Sequence, residues 1–155
     1  MEHSTKDEEL FAAVNEIFNE KIPFNKMLGL KVASLTYDRV VITFEMNKNL
    51  IGNYMRGTLH GGVISSVIDV TGGLAAFLGI QAKMPDADIE TKIKRFGRLG
   101  TIDLRVDYLR PGIGKWFSSS GYTLRAGKRV VVTRIELNNE GGELIAVGTG
   151  SYVAA

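Results

Sequence analysis

The chain has 155 residues, 45% of them apolar and 23% charged, with a formal net charge of +2 and no cysteine. That length suits one domain with a proper core, and the composition is that of a soluble globular protein. Lack of cysteine excludes disulfides, thiolate catalysis and Cys-ligated zinc, while so small a net charge neither demands nor forbids an anionic ligand.

The stretch from Met1 to Glu9 is acidic and has no apolar core, which argues against a signal peptide. No run is read as approaching the eighteen or so apolar residues of a membrane span, so a cytoplasmic protein without membrane insertion is expected. Thr5 and Glu8 have capping-box spacing, and Leu10, Phe11, Val14, Ile17 and Phe18 share one helical face. That helix should stop before Pro23, and His3 belongs to a frayed end ahead of it. Strands are predicted at 30–37 and 39–47; in the second, Val40, Ile42, Phe44 and Met46 alternate with Val41, Thr43 and Glu45. Residues 48–60 read as a loop leading into a central helix over 61–81. In the charged segment 82–98, Ile89, Ile93 and Phe96 can anchor a short helix.

The last third alternates with a period of two. Ile102, Leu104, Val106 and Tyr108 face one way and Thr101, Asp103, Arg105 and Asp107 the other, up to Pro111-Gly112. Further strands are predicted at 115–126, 129–138 and 143–153, with turns at Ala126-Gly127-Lys128 and Asn139-Glu140-Gly141-Gly142. The expected fold is α+β: an antiparallel sheet of about five to six strands wrapped around one long buried helix. Residues 1–155 are read as a single domain with an N-terminal helix.

Chemistry concentrates between Gly57 and Asp69. His60-Gly61-Gly62 stands at the start of the apolar helix, where unpaired N–H groups can hold a developing oxyanion. Asp69 stands about two turns further in, beside Val67, Ile68, Val70 and Leu74; burying a carboxylate there is costly unless it works or is paired. These are two halves of an acyl-transfer site, but eight residues of helix separate them by about 12 Å. A reacting carbonyl needs its oxyanion donor and its nucleophile or base each within about 3 Å. Two antiparallel copies satisfy that, so a two-fold dimer with active sites at the interface is expected.

Each residue also has a plainer reading. Asp69 alone would suit a solvated helix flank, and Gly61-Gly62 a simple helix start. Gly72-Gly73, inside the helix, costs about 1–2 kcal/mol relative to alanine, which close approach of a partner helix, room for an acyl chain, or a kink would explain. His60 is the one histidine of the folded body, and no Gly-x-Ser-x-Gly elbow presents a serine to it. It orients the loop, contacts substrate, or makes a structural bond. Asn53 can bind a carbonyl or water, or shape a turn with Gly52, and Thr101 can simply favour a strand. Arg110, Lys128 and Arg129 lie beside turns, as solvated cations or as partners for the phosphates of a carrier such as coenzyme A. Gly112-Ile113-Gly114 lacks the third glycine of a dinucleotide fingerprint. No metal-ligand, Walker or nucleic-acid motif is present, so neither cofactor nor nucleic-acid partner is expected.

Ile51-Gly52-Asn53, Leu59 through Ile64, Ile68-Asp69-Val70 and Gly100 through Gly112 together resemble hotdog-fold acyl-CoA thioesterases of the PaaI-like type. Within that type the resemblance is nearest to the YigI group of medium- and long-chain acyl-CoA thioesterases. Pro23-Phe24-Asn25 and Leu124-Arg125-Ala126-Gly127 extend it over nearly the whole chain. The resemblance implies hydrolysis of medium- to long-chain acyl-CoA to free fatty acid and coenzyme A. It makes Asp69 the nucleophile or general base and Gly61 the oxyanion donor, with Gly62 as a neighbouring donor. It sets His60 and Asn53 along the thioester and Thr101 on the attacking water, with Gly61 and Asp69 drawn from opposite subunits. Dimers that pair into a tetramer stay open. Alternatives are an aryl-acyl-CoA (phenylacetyl-type) thioesterase and a non-catalytic acyl-CoA-binding module. The Asn53–Gly57 segment is one residue longer than the usual Asn-x-x-Gly, and 82–98 is long for the fold.

Overall fold

Residues 5–153 are described by the structure, a computed structural model. At the N-terminus α1 (Thr5–Glu16) buries Leu10 and Val14, and the chain then widens into a π-helical turn, Ile17–Lys21, that buries Phe18. Thr5 is already helical, so the residue that caps α1 lies outside the described residues, as does His3. The stop before Pro23 holds. Proline, lacking an N–H, is tolerated in a first helical turn, and it opens a second short helix, α2 (Pro23–Leu28), which the apolar pattern did not foretell. Gly29 ends α2 with φ of 72°, in the left-handed region.

β1 (Lys31–Leu35) and β2 (Val40–Glu45) follow as a hairpin. Residues 48–60 are more ordered than a loop: a 3₁₀ turn, Lys48–Leu50, leads into a small hairpin of β3 (Ile51–Asn53) and β4 (Thr58–Leu59). The central helix, α3 (Gly61–Gln81), has the expected bounds. Within 82–98, α4 (Ile89–Lys94) is capped by the Asp88 carboxylate and runs into a 3₁₀ turn, Arg95–Arg98. Four long strands complete the chain: β5 (Gly100–Tyr108), β6 (Trp116–Ala126), β7 (Val130–Asn139) and β8 (Leu144–Val153).

Six strands form one antiparallel sheet in the order β1-β2-β6-β7-β8-β5. Alternation decides its two faces: β2 buries Val40, Ile42 and Phe44, and β7 buries Val131, Thr133, Ile135 and Leu137. α3 lies across β6, β7 and β8 on that buried face, giving the expected α+β hotdog arrangement. Glycines set the close approach. A Cβ at Gly148 would run into Ile68, and one at Gly121 would lie 3.0 Å from Thr71 Cγ2. Each fully buried Leu, Ile, Val or Phe of the helix contributes about 1.5–3 kcal/mol, and Val67, Ile68, Leu74, Phe77 and Leu78 together outweigh the cost of its interior glycines.

α3 also corrects an expectation. Its 21 residues are long and apolar enough to cross a membrane by length and composition, although 72% of its most apolar stretch is buried inside the protein. At the other edge of the sheet from β1, β5 pairs with β8 on one side only. Its free edge carries Ile102, which is 58% exposed.

Candidate active site

The start of α3 is built around His60. As N-cap residue it holds an extended backbone (φ −63°, ψ 136°), and its Nδ1 accepts the N–H of Gly62 at 2.8 Å. An accepting Nδ1 carries no proton, so a neutral His60 has its proton on Nε2 and keeps that N–H as a donor. The bond also settles the two glycines. Gly62, expected as a possible second donor to substrate, gives its N–H to His60, whereas the Gly61 N–H has no partner among the described residues. Gly52 lets β3 pass against this cap, since a Cβ there would lie 2.6 Å from His60 Cα.

For Asn53 the structure shows the turn-forming reading. Its Oδ1 accepts from the N–H groups of Met55 and Arg56, at 3.1 and 3.2 Å, and so shapes the turn before β4. With that oxygen engaged, the amide NH₂ is what the side chain can offer a ligand. Gly52, Asn53, Tyr54, His60 and Gly61 line a common cavity of about 470 Å³.

Asp69 stands elsewhere. Its Oδ1 accepts from the Thr101 hydroxyl at 2.9 Å and from the Tyr152 phenol at 3.2 Å, while its Oδ2 has no partner among the described residues. The phenol oxygen also lies 3.2 Å from the Asp69 main-chain oxygen. Thr101 and Tyr152 are neighbours across β5 and β8, which brings both hydroxyls to one carboxylate. Asp69 opens into a cavity of about 210 Å³ whose apolar walls include Phe18, Ile22, Phe24, Phe96 and Leu99. The π-helical turn and the 82–98 segment thus supply walls that the bare sheet and helix lack.

Tyr152 was not singled out from the sequence. It is 1% exposed, and burial, then the adjacent Asp69 charge, push its ionisation well above the ordinary tyrosine range. The phenol therefore keeps its proton and serves as a donor. A signal for it was present in Gly72-Gly73. A Cβ at Gly72 would collide with the Tyr152 hydroxyl, and one at Gly150 would collide with the ring. Neither a kink, a partner helix nor an acyl chain is needed to explain Gly72; a tyrosine of the same chain occupies the space.

Within one chain the expected catalytic residues fall into two groups, His60, Gly61 and Asn53 in one cavity and Asp69 with Thr101 in another. Eight residues of helix, about 12 Å, separate Gly61 from Asp69. β5 touches both groups: Thr101 bonds Asp69, and the Tyr108 phenol donates to the Gly61 carbonyl at 3.1 Å. The cations are also divided. Lys128 and Arg129 share a surface cavity of about 380 Å³ with Arg125, a residue not singled out earlier. Arg110 instead donates to the Leu144 carbonyl at 2.9 Å, beyond the Tyr108 end of β5.

Residues 56–146 match the thioesterase superfamily. The chain is 38% identical, over 94% of both proteins, to the medium/long-chain acyl-CoA thioesterase YigI of Escherichia coli. A crystal structure from Shewanella oneidensis, described as related to the thioesterase superfamily, superposes with a TM-score of 0.94. It is 45% identical and covers 99% of this chain and 100% of that one. A Syntrophus aciditrophicus crystal structure is 54% identical with a TM-score of 0.89, over 98% of this chain and 100% of that one.

Proposed function

The chain belongs to the thioesterase superfamily, and we propose that it hydrolyses medium- to long-chain acyl-CoA to free fatty acid and coenzyme A. The observation that carries the reading is the Asp69 carboxylate, fixed through one oxygen and open through the other, at the mouth of an apolar cavity. An acyl chain suits those walls, and the similarity to YigI supports the chain-length class. The enzyme is a single-domain thioesterase of the PaaI-like type, and the same reading places it in the cytoplasm.

In this mechanism the thioester carbonyl accepts from the Gly61 N–H, with His60 and Asn53 alongside it. Asp69 attacks the carbonyl carbon or takes a proton from the attacking water, and Thr101 holds that water or the carboxylate. The C–S bond breaks, the thiolate leaves as coenzyme A, and water supplies the oxygen of the free acid. Lys128, Arg129 and Arg125 are placed to meet phosphates, a role the geometry favours less for Arg110.

The functional unit is a dimer. If a second copy pairs its free β5 edge antiparallel about the middle of the strand, Thr101 of one chain comes to the level of Tyr108 of the other. Asp69 bonds Thr101 and Gly61 bonds Tyr108, so each Asp69 then approaches the other chain's Gly61. Pairing of dimers into a tetramer is compatible with this arrangement.

The test is thiol release from acyl-CoA of graded length and from phenylacetyl-CoA, by wild type and Asp69→Asn. Turnover should rise from short to medium and long chains, and Asp69→Asn should stay folded and lose about 10²–10⁴-fold in rate. A preference for the aromatic thioester would overturn the substrate class, and tight binding without thiol release would overturn catalysis altogether.

A further inference from the structure

We propose that Tyr152 is a positioning residue for hydrolysis: its buried phenol, seated by Gly72 and Gly150, fixes the Asp69 carboxylate so that Oδ2 alone faces the reacting carbonyl. The inference rests on Asp69 being the reactive carboxylate.

Three features of the fold converge on this hydroxyl. Its donors are distributed unequally over the carboxylate, because Thr101 and Tyr152 both bond Oδ1 and Oδ2 is left open. A carboxylate held by one donor can still turn about that bond, whereas two donors from adjacent strands fix its plane. Second, the phenol spans Asp69 from main chain to side chain, within 3.2 Å of both the carbonyl oxygen and Oδ1. Its one proton is shared between those two oxygens, so the phenol holds Oδ1 beside the main chain of the helix that carries it. Third, two backbones give up side chains for the ring: Gly72 on α3 and Gly150 on β8. Glycine inside a helix is unfavourable by about 1 kcal/mol relative to alanine, so the slot has a cost that packing a smaller residue at 152 would avoid. A phenylalanine would fill most of the same volume, and what the tyrosine adds is the hydroxyl on Asp69.

The experiment measures kcat and KM for thiol release by wild type, Tyr152→Phe, Gly72→Ala, Asp69→Asn and the Tyr152→Phe/Asp69→Asn pair, with folding checked by circular dichroism. Tyr152→Phe keeps the ring and should lower kcat about 10- to 100-fold, the scale of a lost hydrogen bond to a charged group, with KM within twofold. Gly72→Ala keeps the phenol but displaces it and should lower kcat in the same way, which preserves the test if Tyr152→Phe folds poorly. In the Asp69→Asn background Tyr152→Phe should add little, because the two residues act as one unit. A Tyr152→Phe enzyme with kcat within twofold of wild type, beside an inactive Asp69→Asn, overturns the inference and leaves the function standing. A loss seen only in KM or only in thermal stability overturns it equally. Full activity of Asp69→Asn instead defeats the functional reading beneath it.

Discussion

His60 caps α3 and is proposed to contact the thioester, and substitutions can divide the two roles. Its Nδ1 satisfies the Gly62 N–H at the helix start, while its Nε2–H remains available to a thioester. Asparagine is a good N-cap residue and alanine a poor one. His60→Ala should therefore lose about 1 kcal/mol of stability together with activity, and His60→Asn should recover the stability but not the rate. Urea denaturation and thiol release on the same samples decide this; an active His60→Asn enzyme would confine the imidazole to capping. The turn bonds of Asn53 engage its oxygen and leave its amide hydrogens without a partner among the described residues. Asp69, His60 and Gly61 were legible because charge, ring and missing side chain are properties of single positions. Tyr152 was not. Period two places it on the buried face of β8, but its partners lie on α3 and β5, distant in sequence and invisible to any local pattern.

At the scale of elements, reading succeeded where a pattern ran long. α3 and the four C-terminal strands extend over many residues, and their bounds in the structure fall within a residue or so of those expected, although a register shift between Thr101 and Asp103 turns Thr101 towards Asp69 on α3, against the strict alternation read for β5. It failed for α2, β3 and β4, each too short for periodicity to register and each held by neighbours rather than by its own propensity. The two interior glycines of α3 make a sharp contrast. At Gly73 a Cβ would meet Leu99 and Tyr152 no nearer than 3.6 Å, an ordinary contact, whereas at Gly72 it would strike the phenol and come within 2.9 Å of Ile135. Gly73→Ala should thus gain up to about 1 kcal/mol from helix propensity, and Gly72→Ala should be destabilised by about 1–3 kcal/mol through overpacking. Thermal melts of the two variants test the pair. Equal melting temperatures would mean that the ring yields without cost.

For the whole molecule the central observation is that one chain places its candidate residues in two separate cavities, with the edge strand β5 touching both groups; the proposed dimer would join them. The expectation of a dimer came from helix spacing and from the family resemblance, and the structure adds β5 as the element that touches both groups. Ile102 is an exposed aliphatic residue on that strand, so Ile102→Asp places a charge beside the edge where a second strand would lie. Light scattering after gel filtration should show Ile102→Asp shifted from dimer to monomer, with thiol release lost in parallel. A monomeric Ile102→Asp protein of undiminished activity would show that each chain completes its own site.

The seat of Tyr152 imposes an order on change. A smaller side chain at position 152 would leave space that a residue at 150 could later fill, and one at 72 as well once the Ile135 side chain shifts, but neither of those glycines can enlarge while the phenol is in place. Variation is thus released from the strand towards the helix and blocked in the opposite direction. A laboratory lineage that abandons this tyrosine would be free to rebuild its helix with stronger formers, and one that keeps it would hold both glycines through every round.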